Sequence, residues 1–456
     1  MQAPLTSLKD PSLLIIFAYA PAGLGHLRVT DALFHGLPHQ VQHPFLLGAQ
    51  NKSITALHRI TSINPLLRPL SEWIESGPLK RPSTQLYTFL LRHQTKLLYQ
   101  QLLTIIYERF EKPSRILIIA THFALAHQLV FLKEQLQKET GIHMTVIVQV
   151  TDDYPHPIWF VDGADVILVP SRQTQQSLYR LSPNNSPTLI MVNPYPVSPS
   201  ANILLSPQHL EQKIRQTDPH DYHAIHVVIP ISGAAVGTQF FTDITHRLHR
   251  LSDRFIFHII VKDAPFTKSF ISSMVSKGYI QLSVSADDRT VIDYYESAYQ
   301  NNTIGYEITK PSEQAFKALL DCSKRGASLL LFTAPVGEQE ENNLGFLRRH
   351  MLIPSVQETK LMWHASEKNR SLADIHQSSI TLSQHRWRGI CLPMNPEQAA
   401  RFIYWALHQN IFSKMVLSKV NPHYLDPNGS EIQSTGVESF WQIVAAVLEQ
   451  KNHEEN

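Results

Sequence analysis

The residue best placed to do chemistry in this sequence is His26, the last residue of the stretch AGLGH. Gly23 and Gly25 allow a ligand to approach the backbone closely, and imidazole is the commonest general base because its pKa lies nearest neutrality. The spacing lacks the full G-x-G-x-x-G fingerprint, so the loop does not predict a dinucleotide site. The chain has 24 histidines, and most of them must be ordinary surface or core residues. The position of His26, more than its type, therefore makes it a candidate base.

That position follows from the elements around it. Leu13–Tyr19 is a nearly all-apolar run, typical of a parallel strand covered on both faces. Helical spacing resumes at Leu27 and continues to Leu33. We expect His26 to end the loop between strand and helix, beside the exposed N–H groups of the first helical turn. Open α/β sheets bind their ligands at such places.

Two further loops contain polar or glycine residues in a similar position. The first, ISGAAVG, follows a predicted strand, and its N–H groups suit a phosphate; the alternative is a plain tight turn. The second, PVGEQEENNLGFL, opens a helix. A carboxylate there suits a helix N-terminus with or without a ligand. The candidate ligand-binding residues of these loops are Ser232, Gly233, Gly237, Gln339, Glu340 and Asn343.

Composition excludes several classes of protein. A chain of 456 residues with 43% hydrophobic residues can form two sizeable cores, and we expect two domains. The formal net charge of only +2 argues against a nucleic-acid partner. Two cysteines without a C-x-x-C motif suggest neither a disulfide framework nor a thiolate zinc site, and a reducing compartment fits them. Neither a signal peptide nor an apolar run of about 18 residues is visible. We predict a cytoplasmic protein, with peripheral contact on the inner face of the cell membrane.

Short apolar runs alternate with helical patterns through two parts of the chain, which predicts two parallel α/β sheets. The proline-rich segment NPYPVSPS reads as a stiff linker between them. The predicted order is an N-terminal domain at 1–195, a linker region at 196–222, a C-terminal domain at 223–432, and a final helix with a polar tail at 433–456. The predicted strands are Leu13–Tyr19, Ile116–Ala120, Met144–Val150, Val166–Val169, Leu189–Val192, Ala224–Ile231, Phe255–Val261, Tyr279–Val284, Thr303–Ile308 and Leu329–Phe332.

The alternation stops between about residues 53 and 111. Two helical stretches are predicted there, separated around Pro78 to Pro82, and the second runs from Leu86 to Phe110. Both mix apolar rows with basic residues, a pattern suited to a membrane surface or a lipid acceptor. The alternative is two helices packed on the sheet.

Several motifs, in chain order from about residue 13 to 350, together resemble one family. They are GLGH at Gly23–His26, ATH at Ala120–His122, VTDDYPHPIWFVDGADVILVPS at Val150–Ser171, NPYPVSP from Asn193, EITKP at Glu307–Pro311, and the set Gln339, Glu340 and Asn343. This combination is similar to the glycosyltransferases of the monogalactosyldiacylglycerol synthase and processive diacylglycerol glucosyltransferase group. Relatives of that group include the N-acetylglucosaminyltransferase that forms lipid II.

The resemblance implies a GT-B fold, which is α/β, with two Rossmann-like doubly wound domains facing an interdomain cleft. It implies inverting transfer of a hexose from a UDP-sugar to a hydroxyl of a lipid acceptor such as diacylglycerol, with His26 as the general base and neither metal nor cofactor. The implied donor-binding residues are Ser232, Gly233, Gly237, Thr309, Lys310, Gln339, Glu340 and Asn343. The implied acceptor-side residues are Gly23, Gly25, His122, Asp152, His156 and Trp159.

The sequence departs from the family pattern after Lys310 and Pro311. Ser312, Glu313 and Gln314 stand where the family has a glycine pair beside the donor phosphates, and the Gly-Gln-Glu motif contains an extra residue. Two other functions therefore stay open. One is a UDP-sugar 2-epimerase, and the other is a non-catalytic protein that binds a sugar nucleotide or a partner.

Overall fold

The computed structural model describes residues 5–20, 24–48, 80–109, 111–183, 186–231, 235–333, 337–374, 386–417 and 431–455. The chain divides into two compact units. The first contains residues 1–198 together with 435–456, and the second contains residues 199–434. The first predicted helical stretch after residue 53, the region preceding residue 80, lies outside the described residues.

The first unit is built on a six-stranded parallel sheet with the order β2-β1-β3-β4-β5-β6. Its strands are nearly all apolar because helices cover the sheet. The strands are β1 (Leu13–Tyr19), β2 (Phe45–Gly48), β3 (Arg115–Ala120), β4 (His143–Gln149), β5 (Val166–Val169) and β6 (Leu189–Val192), and the helices are α1 (Leu24–His35), α2 (Lys80–His93), α3 (Lys96–Tyr107), α4 (Phe123–Thr140), α5 (Arg172–Tyr179) and α14 (Gly436–Glu455).

The second unit has its own six-stranded parallel sheet with the order β9-β8-β7-β10-β11-β12, the strand order of the dinucleotide-binding Rossmann fold. The predicted fold class, α/β with two Rossmann-like doubly wound domains, is confirmed. The strands are β7 (Ile225–Pro230), β8 (Phe255–Lys262), β9 (Ile280–Ser285), β10 (Tyr306–Thr309), β11 (Ser328–Phe332) and β12 (Gly389–Leu392), and the helices are α6 (Pro207–Gln216), α7 (Thr238–Leu251), α8 (Lys268–Met274), α9 (Asp288–Asn301), α10 (Glu338–Arg349), α11 (Val356–Glu367), α12 (Pro396–His408) and α13 (Ile411–Leu417).

The helical stretch expected from Leu86 to Phe110 is instead two helices, α2 and α3. α2 begins at Lys80, so Pro82 lies inside its first turn, where the missing N–H removes no helical hydrogen bond. The break lies at Gln94 and Thr95, where the Leu91 carbonyl accepts from Gln94 N at 3.1 Å. The Gln94 carbonyl in turn accepts from the Gln128 side chain at 2.8 Å. No described helix combines the length and the hydropathy that crossing a membrane requires.

The final helix, α14, completes the first unit although it follows the second unit in sequence. Trp441 is buried, its ring lies edge-on to Phe17 at 6.1 Å between centroids, and its Nε1 donates to the Leu33 carbonyl at 3.1 Å. At the start of α14, Gly436 approaches the carbonyls of Pro194 and Tyr195 so closely that a Cβ would lie 2.3 and 2.5 Å from their oxygens. Glycine is therefore required where α14 meets the start of the predicted stiff segment.

Candidate functional site

In the first unit the chain reverses direction across the sheet between β1 and β3. From β1 it passes to β2 on one side, and then returns to β3 on the other. Such a topological switch point opens a crevice at the carboxyl ends of the two strands, where α/β proteins bind ligands. His26 follows β1 and Thr121 follows β3, so both residues lie at this crevice.

His26 lies in the first turn of α1. The sequence had predicted that it would be the last residue of the preceding loop. The helix begins at Leu24, so Gly25 and His26 are already helical. The His26 carbonyl accepts from the Thr30 hydroxyl at 2.9 Å, which fixes the backbone that carries the imidazole. Gly23 lies outside the described residues.

The protonation pattern of the His26 ring follows from one contact. Nδ1 lies 2.7 Å from the carbonyl oxygen of Thr121. A carbonyl only accepts, so Nδ1 must carry the hydrogen, and Nε2 is the atom with the basic lone pair. The ring is half-buried. In the neutral ring, this contact makes Nε2 the nitrogen that can accept a proton.

Two threonines support this arrangement, and neither was predicted from the sequence as a site residue. The Thr151 hydroxyl lies 3.2 Å from His26 Nδ1 and donates to the Asp152 carboxylate at 3.3 Å. The Thr121 hydroxyl lies 2.7 Å from the Thr30 hydroxyl, which ties β3 to α1. Both threonines are buried, Thr121 directly after β3 and Thr151 two residues after β4, and this position after a strand is the one sequence signal that would have identified them.

Aromatic side chains form one wall beside His26. The His122 ring meets it edge-on at 4.8 Å, and the Trp159 ring lies 6.1 Å away. Phe123 links the two, since it stacks on His122 at 4.6 Å and meets Trp159 edge-on at 5.7 Å. His122 and Trp159 are both buried. The wall gives the imidazole an apolar boundary on one side.

The two aspartates of the Thr-Asp-Asp sequence have different environments. Asp152 accepts from Thr151 beside His26. Asp153 accepts from Thr174 at 2.7 Å and from Ser171, the N-cap of α5, so it fixes the start of that helix. His156, predicted to lie on the acceptor side, accepts from Ile158 N at 3.1 Å through Nδ1 and caps a short 3₁₀ helix, Pro157–Trp159.

The second unit has its switch point between β7 and β10, with β11 next to β10. The predicted donor residues lie where these three strands end: Ser232, Gly233 and Gly237 follow β7 in sequence, Thr309 ends β10 and Lys310 comes next, and Gln339, Glu340 and Asn343 belong to α10, which follows β11. The carboxyl ends of adjacent parallel strands bring these segments together. Ser232 and Gly233 lie outside the described residues. Gly237 has φ +89°, and a Cβ there would lie 2.6 Å from the Phe332 ring. Both constraints exclude other residues at the start of α7.

Lys310, which follows β10, and Glu340, in α10, form an ion pair at the carboxyl ends of the strands. Lys310 Nζ lies 2.7 Å from Glu340 Oε1, and the two side chains are 12% and 15% exposed. Glu340 Oε2 accepts from Gly337 N at 3.1 Å, so the carboxylate also caps α10 in a capping-box arrangement. Glu340 therefore caps the start of α10, as its position predicted. A role for Glu340 in binding a ligand stays a prediction.

The other predicted residues at this edge differ in accessibility. Asn343 is buried and its Nδ2 donates to the Pro311 carbonyl at 3.1 Å, joining α10 to the segment after β10. Thr309 is buried and Gln339 is exposed. The segment that replaces the family's glycine pair forms a short 3₁₀ helix, Glu313–Leu319. Across the described part of the chain, no cluster of three His, Cys, Asp or Glu side chains is arranged to hold a metal ion.

Comparisons with known proteins find solved structures that resemble this chain but do not assign it to a family. No protein-family model matches the chain, and no curated protein matches it in sequence. Among solved structures, the UDP-GlcNAc 2-epimerase from Neisseria meningitidis, bound to UDP-GlcNAc, is 10% identical, with a TM-score of 0.42 over 96% of this chain and 99% of its own. A UDP-glucosyltransferase from Polygonum tinctorium is 12% identical, with a TM-score of 0.44 over 96% and 99%. At such identities these similarities assign no activity to this chain.

Proposed function

We propose that the protein is an inverting hexosyltransferase that moves a sugar from a UDP-sugar to a hydroxyl of a lipid acceptor. The observation that supports this most strongly is the His26 tautomer. The contact from Nδ1 to the Thr121 carbonyl leaves Nε2 as the proton acceptor, at a sheet edge where ligands bind. A protein that only bound a sugar nucleotide would have no need of a base held in this form.

In the proposed reaction Nε2 of His26 takes the proton of the acceptor hydroxyl. The oxygen attacks the anomeric carbon of the donor sugar while the bond to the UDP oxygen breaks. The proton stays on Nε2 of His26, and the cationic ring keeps its Nδ1–H bond to the Thr121 carbonyl. The Thr151 hydroxyl, which donates to Asp152, lies 3.2 Å from the same nitrogen. Such a base contributes roughly 10²–10⁴-fold in rate.

The donor is assigned to the second unit. Lys310 supplies a positive charge near the carboxyl end of β10, and the N-termini of α7 and α10 supply N–H groups for a diphosphate. Glu340 retains lone pairs for sugar or ribose hydroxyls, because its two oxygens each accept one hydrogen bond in the structure. Donor binding then adds contacts to a carboxylate that is already held in place.

Glu340→Gln tests the donor assignment. Glutamine preserves size and can still accept from Gly337 N, so the cap of α10 remains. The charge-assisted bonds to donor hydroxyls weaken, and we expect affinity for an intact UDP-sugar to fall by about tenfold or more. Isothermal titration with the UDP-sugar measures the change. Glu341→Gln, in the same turn but 60% exposed and paired with Arg348, is the matched control and should bind normally. Unchanged donor affinity in Glu340→Gln would remove Glu340 from the site.

The lipid acceptor is supported by the surface of α2 and α3. Leu91, Leu98 and Leu102 are buried, and Leu98 and Leu102 belong to the core of the first unit. The opposite surface, here called the α2–α3 face, exposes Leu86, Phe89, Leu90 and Leu97 at 46 to 62%. No acidic residue occurs in either helix, whereas Arg81, Arg92 and Lys96 do. An apolar surface bordered by basic residues suits an anionic membrane. This supports a location at the cytoplasmic face of the cell membrane.

The α2–α3 face should bind anionic vesicles weakly and in a salt-sensitive way, because each basic residue near such a surface contributes only about 1 kcal/mol. Co-sedimentation with phosphatidylglycerol vesicles at low and high salt measures this. Leu86→Ser should reduce the bound fraction. Leu204→Ser is the control, since Leu204 is equally exposed, at 65% against 62%, but belongs to the second unit. Equal effects of the two substitutions would contradict a specific membrane face.

The acceptor and donor are identified by incubating the protein with a panel of UDP-sugars and extracted lipids, followed by mass spectrometry. The proposal predicts a glycolipid whose mass exceeds that of the lipid by one sugar residue. A changed sugar nucleotide formed without any lipid would indicate an epimerase. Bound but unaltered UDP-sugar would indicate a non-catalytic protein.

A further inference from the structure

The amino edge of the first sheet contains a cavity of about 240 Å³ whose charged lining residues are all basic. Arg115 opens β3, His143 opens β4, Lys133 comes from α4, and Lys451 comes from α14. β3 separates this edge from Thr121 by six residues, a distance of about 20 Å at the usual rise of a strand. The cavity is therefore distinct from the crevice at His26.

The positive charges around this cavity exceed the negative charges that pair with them. Lys133 Nζ lies 2.8 Å from both oxygens of Asp165, and Lys451 Nζ donates to the same carboxylate. Arg115 pairs with Asp10 at 2.6 Å. Three cations thus meet two carboxylates, which leaves one positive charge in excess before His143 is counted. Neither carboxylate lines the cavity, so the surface seen from inside is cationic.

The crowding of the two lysines supports this description. Burial lowers the pKa of Lys133, Asp165 opposes that shift, and the neighbouring charge of Lys451 lowers the pKa further. Lys133 is 18% exposed and Lys451 31%. An anion in the cavity would relieve the repulsion between two ammonium groups that share one carboxylate, in a place where water screens them only in part.

We propose that this cavity binds a phosphate group, carried by free phosphate or by a small phosphomonoester. Its volume lies below that of typical cavities for drug-sized ligands, which favours a phosphate group over a whole nucleotide or sugar nucleotide. Lys133 and Lys451 donate to the phosphate oxygens, and Arg115 provides a planar donor on the same wall. Thr145 and Gln137 supply the polar remainder of the lining. The inference is independent of the proposed sugar transfer.

Occupation of the cavity would also connect α14 to the sheet. Leu448 and Lys451 of α14 line the cavity, and Asn452 accepts from Arg115. A phosphate bridging Lys133 and Lys451 would join α4 and α14 by charge-assisted bonds. We therefore expect phosphate to slow hydrogen exchange in the last turns of α14.

Isothermal titration of the full chain with orthophosphate, against sodium chloride at equal ionic strength, tests the proposal. Saturable binding is expected, with affinity lowered about tenfold or more in both Lys133→Met and Lys451→Met, because each loses a charge-assisted donor. Lys138→Met is the control, since Lys138 is an exposed residue of α4 outside the lining. Asp165 keeps one lysine partner in either test variant, and circular dichroism checks the fold.

A parallel titration with glycerol phosphate distinguishes the two sources of the phosphate group. If glycerol phosphate binds more tightly than orthophosphate, the ligand of the cavity is a phosphomonoester. If it binds equally or more weakly, the ligand is free phosphate. Absence of saturable binding of both to the unaltered protein would overturn the proposal. Binding that is unchanged in both Lys133→Met and Lys451→Met would overturn it as well.

Discussion

His26→Ala is expected to lower sugar-transfer turnover by about two to four orders of magnitude, the usual contribution of a general base. The fold should persist, because the half-buried ring packs against His122 and Trp159 at a sheet edge and does not belong to the core. Affinity for UDP should also persist, since the proposed donor residues belong to the second unit. Steady-state kinetics with the glycolipid assay, together with UDP titration, measure both quantities.

The matched control for this variant is His35→Ala. His35 is an exposed histidine of the same helix, α1, and its ring contacts Asp31 and Phe34. It should retain full turnover. Thr151→Val adds a second test, because it removes the hydroxyl between His26 and Asp152 without removing the base, so turnover should fall less than in His26→Ala. Wild-type turnover in His26→Ala would require a different mechanism.

Glu307→Ala is expected to destabilise the second unit by about 3–5 kcal/mol, because it leaves a buried cation without its partner. Glu307 is fully buried on β10 and lies 3.3 Å from Lys317 Nζ, which is 11% exposed. The hydroxyls of Tyr295, at 2.6 Å, and Tyr299 donate to the same carboxylate. Burial and this carboxylate raise the pKa of Tyr299, so its hydroxyl stays a donor at neutral pH. The substitution removes the acceptor for all three groups.

Hydrogen exchange of the β10 amides measures this effect within one unit of a two-unit chain, where a single unfolding transition is not assured. Glu211→Ala in α6 is the control. It breaks an ion pair with Arg215 in which the side chains are 61% and 44% exposed, and such pairs contribute well under about 1 kcal/mol. If Glu307→Ala and Glu211→Ala lower the exchange protection of the β10 amides equally, the buried contacts of Glu307 contribute no more to stability than the exposed Glu211 ion pair does.

The pattern of the sequence was sufficient to predict most strands and the place of His26. Buried parallel strands such as Leu13–Tyr19 and Val166–Val169 are continuous apolar runs, and both have the predicted bounds. β2 and β12 were missed, although they are no shorter than β5, because each has only three apolar residues beside a glycine and β2 is partly exposed. So short an apolar run predicts a strand only weakly without its neighbours.

The chemistry within the site depended on contacts that no local pattern reveals. The tautomer of His26 is set by the carbonyl of Thr121, 95 residues away, and the Thr151 hydroxyl comes from 125 residues away. Asp152 and Asp153 are adjacent and chemically identical, yet one faces His26 through Thr151 and the other fixes the start of α5. Glu340 could be predicted as a helix cap from its position, but its pairing with Lys310 required the sheet order.

The configuration of the glycosidic bond in the product tests the central claim most directly. Proton NMR of the glycolipid made from an α-linked UDP-hexose reports the coupling of the anomeric proton, while released UDP is quantified in the same reaction. A base on His26 that activates the acceptor for direct displacement predicts a β-linked product, one UDP released per sugar transferred, and loss of both in His26→Ala. An α-linked product, or a β-linked product formed at the same rate by His26→Ala, would contradict the account.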